Sequence, residues 1–184
     1  SDRRVKTNFL VNNRETGGAE DGELVECETV AGREHGLPLA RVITKFGAGH
    51  RPSSIVAALV AKHEIPKEFS AAALVQAEKS GVASMRGRED LREIPLITID
   101  DESARDFDDA VWAERSDTDN GWHLIIAIAD VASYVQPQDA LDKAAQERGN
   151  SVYFPNTVIP MLPEELSNGW CSLMPNADRP CIAL

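Results

Sequence analysis

Residues 97–111 read Ile-Thr-Ile-Asp-Asp-Glu-Ser-Ala-Arg-Asp-Phe-Asp-Asp-Ala-Val, and this stretch joins an acidic cluster to apolar flanks. Unit charges about 4 Å apart repel by roughly 1 kcal/mol in water and by about 4 kcal/mol near a protein surface. Several carboxylates beside a hydrophobic core are therefore costly unless a cation compensates them. Hard divalent cations such as Mg²⁺ take oxygen ligands, so the stretch predicts a divalent-metal site. The acidic residues are Asp100, Asp101, Glu102, Asp106, Asp108 and Asp109.

A calcium loop of the EF-hand type does not fit the spacing of this cluster. Such a loop needs acidic or amide residues at its positions 1, 3 and 5 and glycine at position 6. A loop that starts at Asp100 has Ala104 and Arg105 at positions 5 and 6, and a start at Asp106 fails in the same way. A merely solvated acidic loop is the remaining alternative, and the strand-like flanks and Phe107 argue against it.

The spacing of the carboxylates sets a geometric condition for a shared site. If residues 106–109 are extended, the side chains of Asp106 and Asp108 point one way and that of Asp109 points the other way. Asp100 follows a strand-like segment. All four carboxylates can meet only if residues 101–105 turn back, and the small side chains in that segment permit a tight path.

Composition restricts the class of protein. The 184 residues suffice for one domain, or for one domain and part of another. The longest apolar stretch, residues 124–135, is broken by Asp130 and is shorter than the ~20 residues of a membrane span. Three cysteines without a CxxC motif favour reduced thiols over zinc or disulfides. Residues 1–6 lack the apolar segment of a secretory signal, so we expect a cytoplasmic protein without a membrane partner.

The charge is distributed unevenly along the chain. The net charge is −11, and residues 100–184 alone carry 5 basic and 16 acidic side chains. An acidic balance by itself argues against a nucleic-acid partner, because Lys and Arg drive phosphate binding. Bound metal would offset part of this charge locally. The chain starts at Ser1 and ends in the apolar run 179–184, which predicts a strand cut by a truncation.

The pattern of apolar and turn residues predicts an α+β fold. Residues 3–12, 23–30 and 39–46 favour strands, and so we expect a small antiparallel β unit there. One helix should start at a Ser53 or Ser54 cap and end by Pro66, and a second should run from about Ala71 to Lys79 with Ser70 as its cap. Beyond them the pattern predicts strands at 96–100 and 110–114, a buried strand at 122–130, a helix at 138–148, extended segments at 153–155 and 158–163, and a short helix from residue 163.

Residues 90–100 and 104–111 resemble the first signature of the RNB family of exoribonucleases. The resemblance is close over residues 88–184, and residues 1–85 more loosely resemble the last strands of a cold-shock domain with a helical linker. It implies a C-terminal part of a cold-shock (OB-type) domain at 1–48, a helical linker at 49–87 and the N-terminal part of a mixed α/β RNB catalytic domain at 88–184. Further matching segments are 123–135, 141–145, 148–155, 159–169 and 171–173.

The resemblance implies a function and a set of site residues. Such enzymes hydrolyse single-stranded RNA processively from the 3′ end to nucleoside 5′-monophosphates, usually with Mg²⁺ and with Mn²⁺ as the alternative metal. The four signature aspartates carry over as metal-site residues, and Asp106 and Asp108 are also expected to be catalytic. Asp100 and Asp109 are expected as direct ligands, Asp108 as a ligand or the organiser of the nucleophile, and Asp106 as a ligand or a residue behind the ligands. Asp101 and Glu102 lie outside this set.

Two further residues are candidates for RNA binding. Tyr153 aligns with a family tyrosine that looks like a stacking partner for RNA bases, and the alternative is a core tyrosine between two strands. Arg105 would reach an RNA phosphate or pair with an acid, and the alternative is a surface salt bridge. Single-stranded RNA is thus the expected partner, and RNA-degradation or ribosome-associated factors are further candidates.

Two other functions stay open at this point. One is an RNA-binding module that keeps the RNB fold without turnover, and the other is a metal-dependent phosphodiesterase with a different substrate. The complete set of aspartates favours the exoribonuclease. The basic surface and the later half of the catalytic domain that the family supplies lie outside these 184 residues. We therefore expect the chain alone to lack activity or nearly so.

Overall fold

Two long antiparallel strands, β1 (Glu23–Glu34) and β2 (Leu37–Ala48), dominate the first part of the chain. The computed structural model describes residues 7–118 and 120–184, and the chain divides into a first unit that ends at Ile65 and a second that begins at Pro66. Positive φ angles of 51° at His35 and 81° at Gly36 form the two-residue turn between the strands. Such turns match the right-handed twist of the strands they join.

Helix α1 (Pro52–Lys62) follows the hairpin and packs against both of its strands. Pro52 suits the first helical turn because its missing N–H has no partner to lose there. The expected serine cap is wrong: Arg51 precedes the helix, while Ser54 lies inside it and is buried. The helix ends four residues before Pro66, at Lys62.

The predicted strand at residues 3–12 is largely absent from the part that the structure describes. Leu10 forms an isolated parallel bridge with Leu39, and residues 7–9 belong to no strand. Residues 3–6 lie outside the described residues. The predicted strands at 23–30 and 39–46 are confirmed, and each is longer than its sequence pattern indicated.

The second unit contains a three-stranded antiparallel sheet with the order β3-β4-β7. Its strands are β3 (Asp109–Arg115), β4 (Trp122–Ala129) and β7 (Cys181–Ala183), the last within the predicted C-terminal strand. Strand β4 is not fully buried, contrary to the prediction for residues 122–130. Ala127 and Ala129 are buried, whereas the opposite face of the strand exposes Trp122 and Leu124, because the sheet is covered on one side only.

Residues 96–100 do not form the predicted strand. Only Ile97 pairs with a neighbour, through an isolated antiparallel bridge to Val111. The N–H of Leu96 donates locally to the carbonyl of Ile94 instead, at 2.8 Å, and Pro95 between them has no N–H to donate. The segment therefore touches the sheet at one residue and then enters the acidic cluster.

Helices α2 (Ala71–Glu78) and α3 (Ala140–Arg148) form the core of the second unit. The Ser70 hydroxyl accepts a hydrogen bond from Ala73 N at 3.2 Å, which confirms the predicted cap. Helix α3 begins two residues later than predicted because Asp139 caps it through Asp142 N. No helix among the described residues is long and apolar enough to span a membrane. The buried core comprises Ala73, Ala77, Ala129, Leu141, Ala144, Leu162, Leu166 and Cys171.

A short hairpin of β5 (Val152–Phe154) and β6 (Thr157–Ile159) follows α3 in the chain. The short helix predicted from residue 163 is present as one turn that widens into a π-helix at Leu166–Trp170. The α+β class is thus confirmed. The two predicted linker helices belong to different units, since α1 packs on the first hairpin and α2 packs against α3. The boundaries 1–48, 49–87 and 88–184 stay a prediction.

Candidate active site

The acidic segment turns back on itself, as the shared-site geometry requires. Ala104 N donates to the carbonyl of Asp101 at 2.9 Å, and this turn leads the chain from the Ile97 bridge to the start of β3. The Asp101 carboxylate accepts bonds from the N–H and the hydroxyl of Ser103, which lower its pKa. Asp101 is therefore engaged in forming the turn.

Ser172 holds the backbone on both sides of Asp106. Its buried hydroxyl accepts a hydrogen bond from Phe107 N at 3.0 Å and donates one to the carbonyl of Arg105 at 2.8 Å. Leu173 N adds a bond of 2.8 Å to the carbonyl of Phe107. Ser172 lies within a segment that matched the family, but a single serine has no spacing that reveals such a role, and its importance was missed.

Asp108 connects the acidic segment to the end of β4. Its carbonyl accepts a hydrogen bond from Ala129 N at 2.8 Å, so the segment is tied to the end of β4. The residue as a whole is exposed, yet nearby protein desolvates its carboxyl and raises its pKa, with further contributions from Asp106, Asp109 and Asp100. The other three predicted aspartates are thus close enough for their charges to act on Asp108.

Tyr153, in the middle of β5, donates its hydroxyl proton to Oδ2 of Asp106 at 2.7 Å. This hydrogen bond is the main cause of the raised pKa of Tyr153, because an ionised phenol would lose it. The side chain is 64% exposed, so it is not a core tyrosine. The structure therefore brings Tyr153 and Asp106 together from segments that are far apart in sequence.

Arg105 lies at the edge of an open cleft of about 490 Å³. The other side chains that border this cleft are Ala104, Phe107, Glu164, Glu165, Asn168 and Met174. Two of these are acidic, and Arg105 is the only positively charged side chain among the described residues that border the cleft. The role of Arg105 in RNA binding stays a prediction.

The aspartates fit a divalent cation by chemistry, although they are not gathered into a ligand shell. Among residues 7–118 and 120–184, no group of three or more His, Cys, Asp or Glu side chains is placed to hold a metal ion. The donors are all carboxylate oxygens, which hard cations prefer. Desolvation raises the pKa of Asp108 most, the nearby carboxylates raise it further, and a cation would offset the contribution of these charges. Binding would require the carboxylates to converge further.

A second polar cluster lies where β4 ends. Arg88 donates to Oδ2 of Asp130 at 2.7 Å and to the Ser133 hydroxyl at 2.6 Å, and Ser133 also donates to Asp130 at 2.7 Å. Asp130 is buried, and these bonds lower its pKa although burial opposes them. The sequence predicted only that Asp130 lies at the polar end of a strand. Its arginine partner, 42 positions earlier, was missed because no local pattern links them.

Comparison with known proteins covers both units. Residues 88–184 match the RNB domain, and residues 1–70 match a cold shock domain. Ribonuclease R of Vibrio parahaemolyticus is 45% identical over 187 residues, which cover 98% of this chain and 22% of that protein. The chain thus spans about a fifth of the length of this curated relative.

Solved structures show the same arrangement of elements. Mycoplasma genitalium RNase R in complex with ribose methylated single-stranded RNA is 26% identical, with a TM-score of 0.78 over 97% of this chain and 28% of that one. Yeast Ssd1, a pseudonuclease, is 14% identical with a TM-score of 0.61 over 100% of this chain and 24% of that one, which shows the fold alone. The RNB domain match over more than half of the residues, together with these likenesses, shows that the chain belongs to the RNB family.

Proposed function

We propose that the protein carrying this chain is a metal-dependent 3′→5′ exoribonuclease that hydrolyses single-stranded RNA processively to nucleoside 5′-monophosphates. One observation carries the proposal beyond the family membership. The four aspartates of the family signature are present, and the pKa of Asp108 is raised, first by desolvation and then by the charges of the other three. A catalytically inert module of the same fold has no need for carboxylates that repel one another.

Asp100, Asp106, Asp108 and Asp109 would hold the divalent cation, which we propose to be Mg²⁺ with Mn²⁺ as the alternative. When bound, the cation would stabilise the charge that develops on the phosphate and polarise the attacking water. The RNA itself repels this cluster, and residues 100–184 have an excess of acidic side chains. Neutralisation of the four carboxylates is therefore a condition for the phosphate to approach.

The chain's own residues would position the RNA end. Hydrolysis forms a bond between the water oxygen and the terminal phosphorus and breaks the bond to the 3′ oxygen of the preceding nucleotide, which takes up a proton. The exposed ring of Tyr153 would stack on a base near this phosphate, a contact worth about 1–3 kcal/mol. Arg105 would reach a phosphate from the edge of its cleft. Asp108 would orient the water.

We also propose a substrate, further partners and a cellular location for the protein. Single-stranded RNA is the proposed substrate, and RNA-degradation or ribosome-associated factors are candidates for further partners. A cytoplasmic location suits three free cysteines without a disulfide. The solved relative named above was bound to single-stranded RNA, which supports the choice of substrate.

The Asp108→Asn variant tests the proposal. It is made in a protein that contains this sequence and is as long as the relatives. The substitution keeps the size of the side chain and removes its charge. We expect turnover of single-stranded RNA to fall more than about 100-fold, because loss of groups that merely support metal ligands already costs about 10–100-fold. Release of nucleotides from a labelled oligoadenylate, measured against Mg²⁺ concentration, provides the rate.

Asp101→Asn is the matched control for this experiment. Asp101 belongs to the same acidic cluster, but its carboxylate is engaged by Ser103 in the turn, and so its loss should leave turnover within a few fold. Turnover that survives Asp108→Asn and still needs Mg²⁺ would refute the assignment of the site. A wild-type protein that binds RNA without cleaving it would instead support a non-catalytic module. Equal cleavage of DNA ends would point to a phosphodiesterase of broader substrate range.

A further inference from the structure

We infer that Tyr153 is a positioning residue for Asp106, so that one side chain connects the RNA base to the carboxylate site. The inference rests on the proposed function and deepens it. The sequence indicated only a ring that stacks on RNA. The structure adds a hydroxyl that donates to Oδ2 of Asp106 at 2.7 Å.

The geometry of this hydrogen bond is that of a strong contact. A hydroxyl that donates to a charged carboxylate makes a shorter and stronger bond than one between neutral groups, with typical distances of about 2.5–2.7 Å. Tyr153 pairs with Val158 in the β5–β6 hairpin, whereas Asp106 precedes β3. The bond therefore ties the hairpin to the acidic segment, across 47 positions of sequence.

Asp106 is held from two directions. Ser172 fixes the backbone immediately before and after it, through Arg105 and Phe107. Tyr153 fixes the rotation of the carboxylate, because it engages Oδ2. What remains free is Oδ1 and the unused lone pair of Oδ2, since an ionised carboxylate has about four acceptor sites. Because Tyr153 occupies Oδ2, Asp106 is prepared to present Oδ1 to a cation.

The exposure of Tyr153 gives this hydrogen bond a second consequence. The side chain is 64% exposed, so its ring is available to a base while its hydroxyl contacts Asp106. A base stacked on the ring restricts the tyrosine and hence the carboxylate. Coupling between binding sites is reciprocal, so RNA should tighten cation binding by the same factor as the cation tightens RNA binding.

The Tyr153→Phe variant isolates the hydroxyl, since phenylalanine keeps the ring that stacks. The probe is Mn²⁺, whose free concentration is measured by electron paramagnetic resonance in a protein of the relatives' full length that carries this sequence. We expect the variant to bind Mn²⁺ about tenfold more weakly, as is typical when a group that orients a ligand is removed. Circular dichroism should show that the variant keeps the folded structure, so that weaker Mn²⁺ binding does not result from unfolding.

Tyr134→Phe is the matched control, because it makes the same chemical change at the other tyrosine of the sequence. Its hydroxyl is buried and has no hydrogen-bond partner among the residues that the structure describes. Mn²⁺ affinity should be unaffected there. In an Asp106→Ala background, Tyr153→Phe should have no further effect on Mn²⁺ affinity, because the acceptor is already gone.

The outcomes separate this inference from the proposed function. An unchanged Mn²⁺ affinity in Tyr153→Phe, or an effect that persists in the Asp106→Ala background, overturns the positioning role. If Asp108→Asn abolishes turnover at the same time, the proposed function stands without it. If the unsubstituted protein binds no Mn²⁺, or if Asp108→Asn leaves turnover intact, the proposed function fails and this inference fails with it.

Discussion

At the scale of single residues, the small side chain of Ser172 holds the backbone on both sides of Asp106. It is completely buried, and its hydroxyl is both acceptor and donor for the backbone next to Asp106. Asp100, Asp108 and Asp109 are exposed, so side-chain packing does little to fix the conformation of the acidic segment. A few directed hydrogen bonds therefore decide where these carboxylates lie.

Replacement of Ser172 by alanine should destabilise the chain by roughly 2–4 kcal/mol. The variant leaves the N–H of Phe107 and the carbonyl of Arg105 without this partner. A buried group left unsatisfied costs about 1–3 kcal/mol, and these two lie in the lower part of that range because they are only partly buried. Urea unfolding followed by circular dichroism measures the free energy of unfolding. An effect below about 0.5 kcal/mol would show that the hydroxyl is not needed to hold the segment.

Ser167→Ala provides the comparison for this measurement. Ser167 is half-buried in the nearby π-helix, and its hydroxyl makes one long bond of 3.5 Å to the carbonyl of Pro163. Alanine should cost less than about 1 kcal/mol there, because a bond of this length contributes little. A similar loss in both variants would mean that serine removal in this region is costly for a reason unrelated to the acidic segment.

At the scale of elements, the end of β4 is fixed by charge as well as by packing. The strand stops at Ala129, and the next residue, Asp130, carries a buried carboxylate that Arg88 and Ser133 satisfy. Ser133 belongs to the 3₁₀ turn Val131–Ser133. The cluster thereby joins the strand, the turn and the segment around Arg88. Its removal should affect stability far more than the loss of an exposed ion pair.

Asp130→Asn should lower the free energy of unfolding at pH 7 by roughly 1.5–3 kcal/mol, the range for hydrogen bonds to charged groups. The pKa of Asp130 in the folded chain lies below its ordinary value of 3.8. The carboxylate therefore stabilises the fold above about pH 4, and this contribution is lost as the pH falls through the folded pKa. The difference between wild type and variant should shrink accordingly in urea titrations from pH 7 to pH 3.

Asp90→Asn is the control for this titration. Hydrogen bonds from Arg92 lower the pKa of Asp90 to about 2, but both side chains are about half exposed. Water screens such a pair, and so we expect no measurable change in stability at any pH. If Asp130→Asn showed the same small effect, or a difference that grew towards pH 3, the buried cluster would not have the proposed role.

At the scale of the whole molecule, the chain consists of two compact units and carries an uneven charge. The main buried cluster lies entirely within the second unit, which also contains the candidate site. Residues 100–184 carry 5 basic and 16 acidic side chains. Long-range repulsion between this region and RNA must be overcome by charge that the 184 residues do not supply.

We therefore expect the isolated chain to show no significant RNA hydrolysis. Labelled oligoadenylate incubated with the chain and Mg²⁺, and resolved on a denaturing gel, gives the rate. A protein of the relatives' full length carrying the same sequence serves as the positive control, since the chain spans about a fifth of the Vibrio parahaemolyticus relative. Robust degradation by the isolated chain would contradict the expectation, provided that the Asp108→Asn chain lacks it.

Features that depend on neighbouring residues could be predicted from the sequence. Alternating and apolar patterns located strands β1 to β4, and a serine before an alanine-rich segment located the start of α2. The acidic signature identified both the family and the candidate site residues, since motif residues are close in the chain. Such local signals need no knowledge of how the chain packs.

Features that depend on distant partners became visible in the folded chain. Folding left residues 96–100 with a single bridge, and it exposed one face of β4, which no residue of 7–118 or 120–184 covers. It also brought Tyr153 to Asp106 and Ser172 to the backbone around it, across 47 and 65 positions. No pattern within a short window reports such contacts, because they are set by how the chain folds back on itself and by which polar groups burial forces to pair.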